Sequence, residues 1–377
     1  MNQSPLELDT PVAPATPADH TGFDIGWDHA HHGLVPPAEL LLPGTPVCQG
    51  WLAGKAVFGR RTLASRRHTR LWLQLRLQAW RLAIPFDTQQ VTPNYLAQID
   101  TATCPVRRVA LGGPTGDADA AVVDRINPQA GYAAGNLAMM STLAATARVR
   151  MDLQQCLRHA NEAQATGQAI LGLNAAAWRR LAALRAMAMP LPFATVASLP
   201  LALLPPNRTR LLNAAQGLQA LVTQLFATPG WSARCRAMAD LLPQHTLRHD
   251  FNLFVGAMAP RVLEAGKEPQ ELRHALEDGW LQERVQRRWT HLVLSLGETA
   301  TDALLERAAQ AGLAGIRVLC HAPAQATEGW ALPAGGEMLP LARGRGIVLP
   351  RGTVSARAPR AIRPGTTPAP AAPASHA

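Results

Sequence analysis

Apolar residues recur at helical spacing through most of this chain of 377 residues. Within residues 62–84 the leucines alternate as they would in a strand, but the same apolar residues also form one face of a helix. The helix formers Leu, Gln, Arg and Ala dominate, and no β-branched residue lies between Leu71 and Ala83. The pattern therefore predicts a helix, and its polar stripe consists of Arg66, Arg70, Gln74 and Arg81.

The pattern changes near Cys104, where short apolar runs are separated by glycine, aspartate and proline. Residues 104–113 and 114–126 predict two short strands joined by a Gly/Asp-rich loop. Residues 127–131, with the sequence NPQAG, predict a turn, and a helix is expected to begin with Asn136. The order of strand, loop, strand, turn and helix describes a small ββα unit.

The second half of the chain predicts helices almost throughout, with one lone short strand in residues 314–322. Residues 186–207 carry no charge and are long enough to span a bilayer, but they contain five prolines. Because prolines would break a lipid-exposed helix and leave backbone groups unpaired, we predict a buried extended connector and no membrane partner.

The predicted fold class is α+β, mostly α, with a small ββα module combined with a helical C-terminal domain. The termini are rich in Pro, Ala and Thr or in Gly, Pro, Arg and Ala, which is typical of disordered segments. The expected divisions are a disordered tail at 1–22, a basic helix with the ββα module at 23–150, a helical domain at 151–330 and a disordered basic tail at 331–377.

Two long segments of the chain contain basic residues but no acid. The formal net charge is +10, and fourteen of the 36 basic residues lie between Glu39 and Asp87 or after Glu337. Compositional bias explains why arginine outnumbers lysine, but it does not explain the absence of acids. Concentrated positive charge attracts polyanions through phosphate contacts and counterion release. We therefore expect a nucleic acid, most simply DNA, to contact Arg60, Arg61, Arg66, Arg67 and Arg70.

The five cysteines are far apart and form no C-x-x-C pair. This spacing argues against a disulfide scaffold and against a cysteine-based zinc site. The first residues also lack the basic and apolar regions of a signal peptide. A bacterial-type cytoplasmic location is the expectation that fits these features.

The stretch from Val122 to Ser141, VVDRINPQAGYAAGNLAMMS, has the layout of a small metal-dependent nuclease site. Phosphodiester cleavage needs a base that deprotonates water and a metal that neutralises charge on the phosphate. From Cys104 to about Arg150 the chain resembles the HNH endonuclease family, whose ββα unit holds one divalent metal. In that family a strand supplies Asp-His, a loop Asn braces the turn, and a His or Asn on the helix completes the metal site.

The resemblance implies that Asp124 is a metal ligand, that Asn136 braces the loop, and that Arg148 is a basic residue available to nucleic acid. Two positions depart from the family, because Arg125 replaces the base histidine and Ala145 best matches the helical ligand position. A guanidinium stays protonated near neutral pH, and alanine has no ligand atom. The implied catalytic pair is therefore Asp124 and Arg125, with Arg125 clamping a phosphate.

Further ligands for the implied metal lie elsewhere in the sequence. Asp117 and Asp119 are close upstream of Asp124, and hard cations favour carboxylate oxygens. The expected cofactor is therefore Mg²⁺ or Mn²⁺, with Zn²⁺ as the alternative. His29, His31 and His32 follow Asp28 within one turn or loop and could supply a base or a transition-metal site. The alternative for these histidines is an ordered loop that packs on the core.

Three interpretations of this stretch remain open. It is a metal-dependent endonuclease with relocated ligands, a catalytically inactive HNH-fold protein that binds DNA, or a coincidence in a non-enzymatic helical interaction protein. The prediction that leads is an HNH-like, nucleic-acid-directed protein, nominally a phosphodiester hydrolase.

Overall fold

The computed structural model describes residues 16–114, 116–149, 151–266, 268–313, 319–321, 327–332 and 346–348. Within these ranges the chain forms fourteen α-helices, one two-stranded sheet and one three-stranded sheet. The predicted fold class, α+β and mostly α, is confirmed.

Two helices form a tight hairpin at the N-terminal end of the described chain. Helix α1 spans Pro17–His31 and helix α2 spans Pro46–Phe58, with a short 3-10 helix at Ala38–Leu40 between them. A Cβ atom on Gly26 would overlap the carbonyl oxygen of Val47, so the two backbones approach this closely only because the residue is glycine.

Helix α1 begins inside the segment 1–22 that was predicted to be a disordered tail, and residues 1–15 lie outside the described residues. The Thr16 hydroxyl accepts the Asp19 N–H at 3.2 Å, and the Asp19 carboxylate accepts the Thr16 N–H at 2.9 Å. This capping box fixes the first turn. Two of the three histidines that were predicted to lie in a turn or loop, His29 and His31, lie in this helix, and His32 is its C-cap residue. The glycines of the helix serve packing and weaken its helical pattern.

The helix predicted within residues 62–84 is confirmed as α3, Arg67–Arg81. Its apolar face is buried, and part of that face packs on the next helix, α4, which spans Pro93–Ile99. Arg76 departs from the simple pattern, because its side chain is buried and forms an ion pair with Asp28 of α1. The polar stripe along α3 otherwise faces solvent.

Strand β1, Ala121–Arg125, lies within the second predicted strand and pairs antiparallel with β2, Leu137–Ser141. The other predicted strand, 104–113, was wrong, because this segment contributes only an isolated bridge between Thr103 and Ala110. The helix expected from Asn136 begins later, as α5 at Thr142–Ala147. A short apolar run such as Leu-Ala-Met-Met fits a buried strand as well as a helix, so its period could not separate the two.

The β-hairpin lies between two hydrophobic cores. Val123, Leu137 and Met139 pack with residues of α3 and α4. Ala138 and Met140 point to the opposite side and pack with the C-terminal helices. Because side chains alternate along a strand, a two-stranded sheet can be buried on both faces. The ββα unit of the structure, which consists of β1, β2 and α5, is thereby fixed inside the protein.

The C-terminal part is helical, as the sequence predicts, and β3 spans Arg210–Leu211. Its helices are α6 Leu153–Thr166, α7 Ala175–Met187, α8 Phe193–Ser198, α9 Ala214–Ala227, α10 Trp231–Asp240, α11 His245–Glu264, α12 Pro269–Gly279, α13 Glu283–Leu296 and α14 Glu298–Gln310. The connector predicted at 186–207 contains helix α8, and all residues of 199–204 after it except Pro200 are buried. No helix in the described ranges is long and apolar enough to cross a membrane.

A second sheet joins distant parts of the chain. Strand β4, Leu319–His321, confirms the predicted strand in that region, although it is not alone. Strand β5, Gly346–Val348, lies within the segment predicted to be a disordered basic tail and pairs with both β3 and β4. Residues 333–345 and 349–377, with all six arginines of that predicted tail, lie outside the described residues.

Candidate functional site

Asn136 joins the two ends of the loop that connects β1 to β2. Its side chain is fully buried, and Oδ1 accepts the backbone N–H of Asn127 at 2.8 Å. Its Nδ2 donates to the carbonyl oxygens of Asn127 and Gly131, each at 3.0 Å. The amide therefore satisfies three backbone groups of the loop, at the position where the sequence predicted a bracing asparagine.

Gly135 precedes this asparagine and is required by both its backbone and its surroundings. Its φ of +87° is in the left-handed region. A Cβ atom at this position would overlap the side chain of Arg210, which crosses directly above it. The Gly-Asn pair is therefore explained by loop geometry.

Asp124 lies at the end of β1, and both of its carboxylate oxygens have protein partners. Oδ1 accepts the backbone N–H of Arg125 at 2.7 Å, and Oδ2 pairs with Nη2 of Arg148 at 2.5 Å. The Arg148 side chain is only 6% exposed, and it also donates to the carbonyl oxygens of Arg125 and Ile126. Arg148 thus lies inside the ββα unit and does not offer its guanidinium to a nucleic acid.

This arrangement does not fit a divalent cation at Asp124. The Arg148 guanidinium is paired with Oδ2, Oδ1 accepts the Arg125 N–H, and Ala145 contributes no ligand atom. A cation at this carboxylate would compete with Arg148, whose buried charge needs a counterion.

Arg125 stabilises the turn that follows β1. Its Nη1 donates to the carbonyl oxygens of Pro128 at 2.7 Å and Ala130 at 2.8 Å. Its guanidinium also lies 5.1 Å from the centre of the Tyr132 ring, within the range of a cation–π contact. Arg125 therefore stands where the resemblance implies a base histidine, but its guanidinium binds the turn that follows β1.

Asp117 and Asp119 are not brought together with Asp124. Asp119 forms an ion pair with Arg107, and the Asp117 carboxylate lies against Gly113. Both precede β1, whereas Asp124 is near its end, and each strand residue adds about 3.3 Å of separation. Across the part of the chain that the structure describes, no group of three or more His, Cys, Asp or Glu residues could hold a metal ion.

The three candidate histidines lie at the end of α1 and contact α1 and α2. His29 is buried, and its Nδ1 bonds to the carbonyl oxygen of Ile25 at 2.7 Å. His31 stacks on Phe58 with ring centres 4.3 Å apart, and His32 lies beside His31. Burial lowers the pKa of His29 and of His32. These contacts are those of packed side chains, as in the core-packing alternative.

The basic surface is formed by the end of α2, the loop that follows it and the first turn of α3. Its members are Lys55, Arg60, Arg61, Arg66, Arg67 and Arg70, and all of them are exposed. The loop is fixed to α1 by the Leu63 N–H, which donates to the carbonyl oxygen of His31 at 2.8 Å. Arg70 donates to Ser65 Oγ at 3.4 Å, which links the first turns of α3 to the loop before it.

Acids from other segments contact only some of the basic residues between Glu39 and Asp87. Asp100 pairs with Arg67, Asp28 with Arg76 and Glu39 with Arg81. No ion pair joins Arg60, Arg61, Arg66 or Arg70 to any described acid. The basic surface therefore retains positive charge that no acid of the described ranges balances.

The chain was compared with protein-family models, with curated proteins and with solved structures, and no match was found.

A polar cavity beside Gly135 is lined by residues that were not predicted from the sequence, among them Tyr95, Arg208 and Arg210. Their only sequence signal is polarity in short loops and at one helix face, which is common on any protein surface.

Proposed function

We propose that this protein binds nucleic acid, with DNA the expected kind, on an HNH-like ββα scaffold that does not cleave it. The observation that supports this proposal best is the unbalanced charge of the basic surface. Four exposed arginines without ion pairs lie within eleven residues of sequence, so phosphates could neutralise them and release bound counterions. The first turn of α3 adds backbone N–H groups without a side-chain cap, which also favour an anion.

The proposed absence of cleavage rests on the contacts of the ββα unit. Hydrolysis of a phosphodiester requires a base and an electrophile at the reacting phosphate. Arg125 is bonded to the loop, and Asp124 is paired with Arg148. Neither side chain is left to perform these steps.

The binding proposal is tested by replacing Arg60, Arg61, Arg66 and Arg70 together with glutamine. A matched control replaces four exposed arginines of the helical part, none of which forms an ion pair with a described acid: Arg158, Arg236, Arg284 and Arg287. Binding of a 20-base-pair duplex is measured by fluorescence anisotropy at several salt concentrations. Both variants carry the same net charge, so only the position of the lost charge differs between them.

We expect the affinity of the native chain to fall steeply with salt, because each phosphate contact contributes a slope of about −0.9 on a logarithmic plot. The test variant, which lacks four arginines, should lose up to about 3.6 units of this slope, whereas the control should keep it. Equal behaviour of the two variants, or no salt dependence, would contradict binding at the basic surface.

The cleavage part of the proposal is tested with supercoiled plasmid and Mg²⁺, Mn²⁺ or Zn²⁺. We expect no nicking by the native chain or by Asp124→Asn. Metal-dependent nicking that disappears in Asp124→Asn would overturn the non-cleaving assignment while leaving the binding proposal intact.

A further inference from the structure

A polar cavity of about 280 Å³ lies between α4, the loop before β2 and the chain that enters β3. Its lining includes two arginines, Arg208 and Arg210, and three side-chain amides, two of which are Asn94 and Gln98. None of the residues that line it carries a carboxylate. The cavity thus presents an excess of hydrogen-bond donors and positive charge.

Tyr95 places a neutral hydroxyl in the wall of this cavity. The side chain is buried, and its oxygen accepts the backbone N–H of Gly135 at 3.0 Å. Burial raises the pKa of Tyr95 to about 12, so the phenol keeps its proton at neutral pH. No described side chain or carbonyl accepts that proton, which leaves the O–H able to donate to a ligand.

The two arginines differ in how the protein holds them. Arg210 Nη2 donates to Gln90 Oε1 at 2.8 Å, and Nη1 donates to the carbonyl oxygen of Glu328 at 3.4 Å. The nearby carboxylates of Glu328 and Asp87 offset part of its charge. Arg208 has no hydrogen bond or ion pair to any described residue, and its Nε is buried without an acceptor. Its charge is therefore not compensated by the described protein.

We propose that this cavity binds a small anion that carries a phosphate group, with Arg208 and the Tyr95 hydroxyl as its principal donors. A phosphate presents three acceptor oxygens to donors arriving from several directions, whereas a carboxylate presents two in one plane. Arg210, held by Gln90, also lines the cavity. The phosphate belongs either to a free nucleotide or to the 5′ end of a nucleic acid. The assignment does not depend on binding at the basic surface.

The experiment is isothermal titration calorimetry on the full chain with inorganic phosphate, AMP, malonate and a short oligonucleotide with and without a 5′ phosphate. The test variant is Arg208→Asn, because asparagine tolerates the φ of +65° at this position and removes the charge. Arg158→Asn, at an exposed position of α6, is the matched control. Tyr95→Phe keeps the ring and removes the hydroxyl.

We expect at least one phosphate probe to bind at one site, at least tenfold more weakly in Arg208→Asn and several-fold more weakly in Tyr95→Phe. The Arg158→Asn control and the four-arginine variant of the basic surface should bind AMP as the native chain does. Binding of AMP assigns the site to free nucleotides, and binding of the 5′-phosphorylated oligonucleotide alone assigns it to nucleic-acid ends. If no phosphate probe saturates, if malonate binds more tightly than phosphate, or if folded Arg208→Asn binds normally, the proposal fails.

Discussion

Replacement of Arg148 by methionine is expected to destabilise the ββα unit by about 4 kcal/mol. The change removes one bond to a carboxylate, which typically contributes about 1.5–3 kcal/mol, and two bonds to carbonyl oxygens, which contribute about 1 kcal/mol each. Because Arg148 is only 6% exposed, water cannot replace these bonds fully. Methionine retains most of the apolar stem, so the loss is mainly polar.

Asp124→Asn is expected to cost less, about 1–2 kcal/mol. The amide oxygen can still accept the Arg125 N–H, and the Asp124 side chain is 29% exposed, which weakens the attraction that is lost. The double variant Asp124→Asn/Arg148→Met should then be more stable than the sum of the single losses predicts, by about 1.5 kcal/mol, because both single changes remove the same ion pair.

Urea unfolding followed by tryptophan fluorescence measures all three free energies. A coupling below about 0.5 kcal/mol would mean that the two side chains act independently, and the structural role assigned to Asp124 would be refuted. Mg²⁺ or Mn²⁺ should leave the unfolding midpoint of the native chain unchanged. A metal that binds only the folded state would raise that midpoint with concentration, and such a rise would favour a metal site.

Two further predictions concern buried charge elsewhere in the fold. Glu277 is 3% exposed and accepts hydrogen bonds from Arg108 at 3.1 Å and Arg273 at 2.9 Å. Glu277→Gln should therefore lower the free energy of unfolding by about 2–3 kcal/mol. A loss below about 0.5 kcal/mol in urea unfolding, which is typical of a surface substitution, would contradict this. Burial lowers the pKa of His29, whose ring forms a hydrogen bond with the carbonyl oxygen of Ile25. When the pH falls below the ordinary pKa of histidine, the unfolded chain therefore binds more protons than the folded chain. Stability should therefore decrease from pH 7 to pH 5, and an unchanged slope in His29→Gln would show that this residue is not responsible.

The elements that the sequence predicted correctly are those whose pattern repeats over several turns. Helix α3 has fifteen residues and a buried apolar face, so its period was decisive even though its leucines also alternate. Helix α1 has the same length but carries Gly22 and Gly26 on its buried side. Because glycine is not a large apolar residue, the buried face of α1 does not appear as a helical pattern of apolar residues. Strand β2 has five residues that are all buried, and neither period is visible in so short a run.

The candidate site was predictable in part for a related reason. Asp124 and Asn136 belong to one local motif, so the family resemblance of that motif was enough to expect them at a strand end and in the following loop. The contact between Asp124 and Arg148 depends on where α5 ends relative to β1. The helix was predicted to begin at Asn136 and thus to include the residues that form β2, so this contact could not be predicted. The cavity beside Gly135 combines residues 90–98 with residues 208–210, and only the tertiary fold brings these segments together.

The proposed loss of cleavage and the stability of the ββα unit are two consequences of one contact. A carboxylate at the end of β1 requires a positive partner when it is partly buried, and either a divalent cation or a guanidinium can meet that need. Arg148, which is part of the chain, supplies that positive charge in this structure. A cation at Asp124 would compete with Arg148 for the charge of the same carboxylate. A variant such as Arg148→Met that bound a metal at Asp124 would do so at the expense of the hydrogen bonds that hold the end of α5 to β1.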